Sequence, residues 1–326
     1  MELPPTRGLI YDRNGVILAE NKPTFHLEIT PEQVDDMEAT LAGLSEIVSI
    51  SDSEMERFRE ELRVHRSFQK ISLRTRLNEE EVARLAANRH RFPGMDINAR
   101  LSRYYPQGEL TSHVLGYVGR INQKDLSVID EGNYRGTTHI GKTGLEKYYE
   151  AELHGNVGRQ KVEVNAQGRV LRVIEKIPPE AGNDLTLNLD IELQRIAEAG
   201  LGEFAGSVIA IEPHNGAVVV FVSKPGFDPN MFVHGISHKD YDALQHGMYK
   251  PLFNRALFGQ YPPGSTFKPF IALAGIEQRR FGIKESIFCR GHYLLPGDKT
   301  ERKYRDWKKE GHGVVDLEES VEQSCD

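Results

Sequence analysis

At 326 residues the chain is long enough for two ordinary domains, and 39 % apolar with 27 % charged residues is the balance of a globular protein, not a disordered one. Its formal charge of −7, from 41 Lys and Arg against 48 Asp and Glu, comes with basic residues scattered among acidic ones, which leaves no stripe for nucleic acid. No apolar run approaches the roughly 18 residues of a membrane span, and Met1-Glu2-Leu3-Pro4-Pro5 is not the start of a signal peptide, so the chain as it stands is expected to be soluble.

Asn14-Gly15, between short apolar runs, predicts a tight hairpin turn. Thr30 and Pro31 mark a helix start, and Val34, Met37, Leu41, Leu44 and Val48 recur at helical spacing, so a helix is expected over 31–48. Further helices are predicted over 54–64 and after Asn78, with the alternating ISLRTRL between them as a strand. KVEVNAQGRVLRVIEKI reads as a hairpin turning near Gln167-Gly168. These small pieces make residues 1–180 a mixed α+β domain. After Pro178-Pro179 the texture shifts, and a second domain is expected over 181–326. There NDLTLNLD leads into the helical IELQRIAEAGLGEF, and SVIAIEP and AVVVFVSKP flank Asn215-Gly216 as a buried antiparallel hairpin. STFKPFIALAGIEQ, opening after Pro262-Pro263-Gly264, predicts a helix of about a dozen residues with Pro269 in its first turns, where a missing N–H does least harm.

Two stretches name chemistry. GTTHIGKT at 136–143 spells a phosphate loop, but no buried strand enters it, so Gly141 and Gly144 are read as turn residues ahead of the helix LEKYYEAEL. The pattern S-x-x-K occurs twice. Ser67-Phe68-Gln69-Lys70 leads into a strand, where residues three apart face opposite ways, and is read as coincidence. Ser265-Thr266-Phe267-Lys268 opens a helix, which stacks hydroxyl and amine on one face. An amine in a dry site acts as base toward the serine, and a helix N-terminus stabilises charge developing on oxygen. On these four residues alone, a serine N-cap beside a surface lysine stays open.

The surrounding segments narrow the choice. QYPPGSTFKPF resembles the nucleophile segment of the penicillin-binding proteins, and RGLIYDRNGVILA the opening of the class B members. HVLGYVGRIN, GKTGLEKYYE and GNDLTLNLDIELQ resemble landmarks of that family in the same order, closest to its elongation type. The resemblance implies an α+β pedestal followed by an incomplete transpeptidase domain, an antiparallel sheet with helices. Its activity would be crosslinking of peptidoglycan stem peptides through an acyl-serine, with β-lactams as inhibitors. It implies Ser265 as nucleophile, Lys268 as its base, Ser324 as proton relay in a second motif Ser324-Cys325-Asp326, and Asp326 at the substrate. No K-[ST]-G follows Ser265, so these 326 residues by themselves are expected to be nearly inert. The family's setting implies a single-pass anchor at the periplasmic face of the bacterial inner membrane. Its partners would be a RodA-like membrane glycosyltransferase and elongation scaffold proteins, and a non-catalytic pedestal role binding that complex is the alternative. An enzyme of another penicilloyl-serine class would share S-x-x-K, but the long N-terminal half argues against it.

No cofactor is expected to be required for catalysis, but a structural zinc is a candidate. Cys289, Asp306, His312 and Cys325 fall within 37 residues, and two thiolates with an imidazole and a carboxylate suit a tetrahedral ion. A Cys289–Cys325 disulfide and free thiols remain alternatives.

Overall fold

A computed structural model gives the fold and describes residues 2–165, 170–297, 299–300 and 302–326. The backbone divides into two units, Met1–Gly259 and Gln260–Asp326, and the texture change near residue 180 lies inside the first.

In the first unit β1 (Glu2–Leu3) precedes β2 (Ile10–Tyr11) and β3 (Ile17–Ile29), which are antiparallel about the Asn14-Gly15 turn. Buried Asp12 fixes that turn: its Oδ1 accepts the N–H groups of Asn14 and Val16, each at 2.8 Å. The helix expected over 31–48 is shorter. A 3-10 turn, Pro31–Gln33, gives way to extended backbone at Val34, and α1 (Met37–Ile47) starts afresh from Asp36, whose side chain accepts the Ala39 N–H. Thr30 caps nothing, and a capping aspartate six residues later satisfies the orphan N–H groups better.

α2 (Asp52–Val64) and α3 (Glu79–Ala87) both open on capping boxes, Ser51 with Glu54 and Asn78 with Glu81. Between and after them, β4 (Ile71–Leu77) and β5 (Met95–Tyr104) pair with opposite edges of β3. Alternation gives this sheet two unlike faces. Leu27, Ile29, Ile71, Leu73 and Met95 are buried with Leu44, Phe58 and Leu85 of the helices. The other face carries His26, Glu28, Ser72, Asn98, Arg100 and Ser102 in register.

β6 (Val118–Arg120) pairs with β7 (His139–Gly141), and α4 (Gly144–Tyr148) follows at once. GTTHIGKT is therefore a short strand and a turn, with no phosphate loop. Gly144 has φ +59°, and a Cβ there would lie 2.5 Å from the Gly116 nitrogen, so only glycine fits; Gly141 ends β7 instead of making a turn. β8 (Gly158–Val164) and β9 (Val170–Ile177) form the expected hairpin, with β1 on the other side of β8; the turn at Gln167-Gly168 lies outside the described residues.

β10 (Leu185–Thr186) runs parallel to β2, and α5 (Ile191–Leu201) is capped by Asp190, ending sooner than its sequence pattern suggested. β11 (Gly206–Ile211) and β12 (Val218–Lys224) form the hairpin around Asn215-Gly216. Only part of it is buried, contrary to expectation. Val219, Val220 and Val222 pack with Val208, Ala210 and Ala197 of α5, while Ile209 and Ile211 on the outer face are 45 % and 56 % exposed.

The second unit begins with a 3-10 turn, Gly264–Phe267, that runs into α6 (Lys268–Glu277). The helix predicted from Ser265 onward is thus not α-helical at its start. Pro269 lacks the N–H that would reach the Ser265 carbonyl, so the Lys268 N–H takes it one residue earlier. β13 (Ile287–Cys289) pairs with β16 (Gly313–Val315) and, between them in sequence, β14 (His292–Leu294) pairs with β15 (Lys303–Arg305). α7 (Leu317–Glu322), opened by an Asp316–Glu319 capping box, leads to the last residues.

Candidate active site

Ser265 sits exposed in the 3-10 turn, and Lys268 begins α6. Beyond α7 the chain turns sharply at Ser324, whose φ of +55° is left-handed. The Cys325 N–H closes the turn on the Ser320 carbonyl at 2.8 Å. This turn brings the second motif onto the first. Lys268 Nζ donates to the Ser324 carbonyl at 2.7 Å and to Ser324 Oγ at 3.1 Å, and lies 2.6 Å from Asp326 Oδ1. Ser324 Oγ donates to Ser265 Oγ at 2.7 Å.

The three candidate catalytic residues and Asp326 are together, but their wiring differs from the expected direct pair. Ser265 and Lys268 are joined through the Ser324 hydroxyl, because the three ammonium donors are already engaged by Ser324 and Asp326. Asp326, expected at the substrate, is an ion-pair partner of the lysine in this arrangement. A hydroxyl is both donor and acceptor, so the chain can run in either direction and pass a proton between serine and amine.

The four candidate metal ligands form a second cluster behind the motif, with ligand atoms all within 4.8 Å of one another. Cys289 ends β13, Asp306 follows β15, His312 precedes β16, and Cys325 lies in the Ser324 turn. Cys289 Sγ is 3.6 Å from Asp306 Oδ2 and 3.7 Å from His312 Nδ1, and the last two are 3.4 Å apart. Both cysteines are free, so the disulfide alternative is not realised. Gly311 permits the close packing, since a Cβ there would meet the Cys289 carbonyl at 2.2 Å.

Burial would raise the Cys289 thiol pKa, but hydrogen bonds from the His312 backbone and ring outweigh it and bring the value down. Cys325 is pushed up to about 12 by burial and by its hydrogen bonds to Cys289 and Asp306. Asp306 is lowered to about 2: burial opposes ionisation, yet the N–H groups of Lys308 and Asp326 stabilise the carboxylate more.

Asp306 also couples the clusters, accepting the Asp326 N–H at 2.8 Å. Trp307 adds a further tie that sequence reasoning missed, its indole N–H donating to the Gln323 carbonyl at 3.2 Å, just before Ser324. Adjacency to Asp306 in the RDW run was the available signal. In the first unit, sequence reasoning also missed a buried clamp. Glu146 accepts from Arg7 Nε and Arg103 Nε, each at 2.7 Å, and from the Tyr105 hydroxyl at 3.2 Å.

Residues 2–187 match the penicillin-binding protein dimerisation domain, and residues 206–326 match the penicillin-binding protein transpeptidase domain. The chain belongs to the penicillin-binding proteins. It is 43 % identical over 328 aligned positions to the peptidoglycan D,D-transpeptidase MrdA of Escherichia coli strain K12, covering 99 % of this chain and 52 % of that protein. A solved complex of penicillin-binding protein 2 with MreC from Helicobacter pylori superposes with a TM-score of 0.82 at 31 % identity, over 100 % of this chain and 61 % of the other. Penicillin-binding protein 2 of Pseudomonas aeruginosa, solved with WCK 5153, gives 0.68 at 35 % identity, over 100 % and 51 %. The chain thus spans about half the length of its curated relatives. As a penicillin-binding protein it has the α+β pedestal-and-transpeptidase architecture expected from its sequence.

Proposed function

We propose that in the full-length protein Ser265 is the nucleophile of an elongation-type peptidoglycan D,D-transpeptidase. The observation that carries this is the Ser324 hydroxyl bridging Ser265 and Lys268 at 2.7 and 3.1 Å. With Lys268 as the neutral amine, Ser265 Oγ attacks the penultimate D-alanyl carbonyl of a stem peptide while its proton passes to Ser324 Oγ and the Ser324 proton passes to Lys268 Nζ. The bond to the terminal D-alanine breaks, its nitrogen takes up a proton, and an ester remains on Ser265. An amine of a neighbouring strand then attacks the ester, forming the crosslink and returning the hydroxyl. A β-lactam enters the first step only and stays as the ester. The test is D-alanine release from a pentapeptide donor by a chain carrying this sequence at its relatives' full length. Release that is abolished in Ser265→Ala is expected; release that survives it contradicts the reading.

The same proposal puts the protein at the periplasmic face of the inner membrane with a single-pass anchor. A scaffold protein of the kind in the Helicobacter pylori complex and a membrane glycosyltransferase would be its partners.

A structural zinc is proposed for Cys289, Asp306, His312 and Cys325. Tetrahedral bonds of about 2.0–2.3 Å separate ligand atoms by about 3.3–3.8 Å; the separations of 3.4, 3.6 and 3.7 Å among Cys289, Asp306 and His312 fall in that range, and the set with Cys325 spans up to 4.8 Å, so binding would draw the ligands slightly inward. Bound there, zinc would keep the thiols deprotonated and crosslink three strands to the Ser324 turn. Elemental analysis is expected to find about one zinc per chain, falling sharply in His312→Ala; metal content unchanged by that substitution contradicts the assignment.

A further inference from the structure

The proposed acyl transfer makes no use of a strongly charged surface in the second unit. From Arg302 to Lys309 the chain runs Arg-Lys-Tyr-Arg-Asp-Trp-Lys-Lys, five cations to one carboxylate, which the formal charge of −7 for the whole chain hides. That carboxylate, Asp306, is buried and engaged elsewhere, accepting the N–H groups of Lys308 and Asp326 at 3.0 and 2.8 Å. Arg302, Lys303, Arg305, Lys308 and Lys309 are all exposed. Among the described residues the ion pairs of this unit are those of Lys268 and His312, so none of the five cations is answered. Other exposed cations of the chain are: Lys70 pairs with Asp96, Arg84 with Glu80 and Arg195 with Glu192. Like charges held this close repel one another unless an anion lies among them.

The β14–β15 hairpin gives these groups a fixed layout. Lys303 and Arg305 are two apart on β15 and so share a face, with Cβ atoms ~7 Å apart. Lys308 and Lys309 follow in the turn that the Asp306 side chain holds. The opposite face carries Tyr304 across from Tyr293 of β14, both about half-exposed, with the Arg302 guanidinium 5.3 Å from the Tyr304 ring centroid. Trp307, 66 % exposed, joins this surface to the reacting groups, since its indole N–H donates to the Gln323 carbonyl, one residue before Ser324. Separated cations beside exposed rings suit anionic groups spaced along a polymer better than one small anion.

We propose that this hairpin is a subsite for the peptidoglycan strand, with Lys303, Arg305, Lys308 and Lys309 holding carboxylates of its stem peptides; the assignment rests on the transpeptidase reading of Ser265. Continuity with the reacting groups selects this anionic partner over others that such cations suit. The patch lies in the same unit as Ser265 and is tied by Trp307 to the turn that carries Ser324, and so stands beside a strand whose stem peptide reaches Ser265. A lipid headgroup would instead require the reacting serine to lie against a bilayer. Guanidinium and ammonium groups both bind carboxylates, the first in bidentate fashion, and the C–H faces of sugar rings can lie on the exposed aromatic rings. Held at several points at once, the strand stays near Ser265 between acyl transfers.

The probe is a soluble peptidoglycan strand whose stem peptides have already lost the terminal D-alanine, titrated into the full-length protein. No acyl transfer occurs with it, so a failure to bind and a failure of Ser265 to form an ester are separate results. Saturable binding with a Kd below about 1 mM at low ionic strength is expected, weakened about tenfold or more in Lys303→Gln with Arg305→Gln, and likewise in Lys308→Gln with Lys309→Gln. None of the four side chains is buried or ion-paired, so both paired variants are expected to keep the parent's Tm. Arg63→Gln with Arg66→Gln removes the same charge from exposed positions in the first unit and is expected to bind as the parent does. Equal affinity for strands stripped of their stem peptides, affinity unchanged in both hairpin variants, an equal loss in the Arg63 and Arg66 variant, or binding to phosphatidylglycerol vesicles with none to the strand overturns the proposal.

Discussion

Ser324 occupies a left-handed backbone position that costs a residue with a side chain about 1–3 kcal/mol, at φ +55°. Glycine would relieve that cost, and the proposed relay through the hydroxyl would account for a serine there. Ser324→Gly is expected to raise Tm slightly and yet slow acylation by a β-lactam about 10²–10⁴-fold, the range for a lost proton-transfer group; acylation at the parent rate in stopped-flow would show that the bridge is not used. Glu146 poses the opposite case. Its carboxylate is buried between Arg7 and Arg103, and although burial favours the neutral acid, the two guanidiniums hold its pKa below the ordinary value. Glu146→Ala leaves buried Arg103 without its anion and Arg7 with Glu150 alone, and is expected to cost about 3–5 kcal/mol, read as a fall in denaturation midpoint with unchanged slope. What the sequence reveals at this scale follows chain distance. Ser265 and Lys268 are three apart and announce themselves. The partners of Glu146 are 139 and 43 residues away, and nothing local in GKTGLE marks the glutamate as a clamp.

Elements were legible where their ends carry strong chemistry. Asn78 with Glu81 predicts α3, and Asn14-Gly15 the first hairpin. They were misread where two signals competed, as at Thr30-Pro31 against Asp36, or where a missing N–H changed the helix type, as at Pro269. The burial of β11 was overestimated because an apolar strand does not say how many of its faces are covered. The polar face of the β3–β5 sheet has a consequence for pH. His26 and His234 have folded-state pKa values of about 4 and about 3, below the ordinary value near 6.5. As pH falls, the unfolded chain therefore takes up protons first. The stability these neutral rings allow is whole above about pH 6.5 and is lost progressively down to their folded values. Calorimetry across this range is expected to show Tm falling with acid, and His26→Gln with His234→Gln to flatten the slope; an unchanged slope would mean the rings are not held neutral.

At the scale of the whole molecule, the two compact units and the two matched domains divide the chain at different places. The transpeptidase match begins at residue 206, whereas the second unit begins at Gln260. Both candidate clusters lie wholly within the second unit, built by one short helix pair and two strand pairs. Nearly every chemistry-bearing residue there was visible in sequence, because the motifs fall in 62 residues from Ser265 to Asp326. The resemblance also implied Ser324 as a proton relay; that its hydroxyl stands between Ser265 and Lys268, in place of a direct pair, was not visible, since it depends on how the last turn folds back onto α6. The central claim is that Ser265 forms the ester. Peptide mapping by mass spectrometry of the full-length protein after brief exposure to benzylpenicillin tests it most directly. One penicilloyl group on the peptide containing Ser265, absent from Lys268→Ala over the same exposure, is the predicted result; an adduct on any other residue, or none, would contradict it.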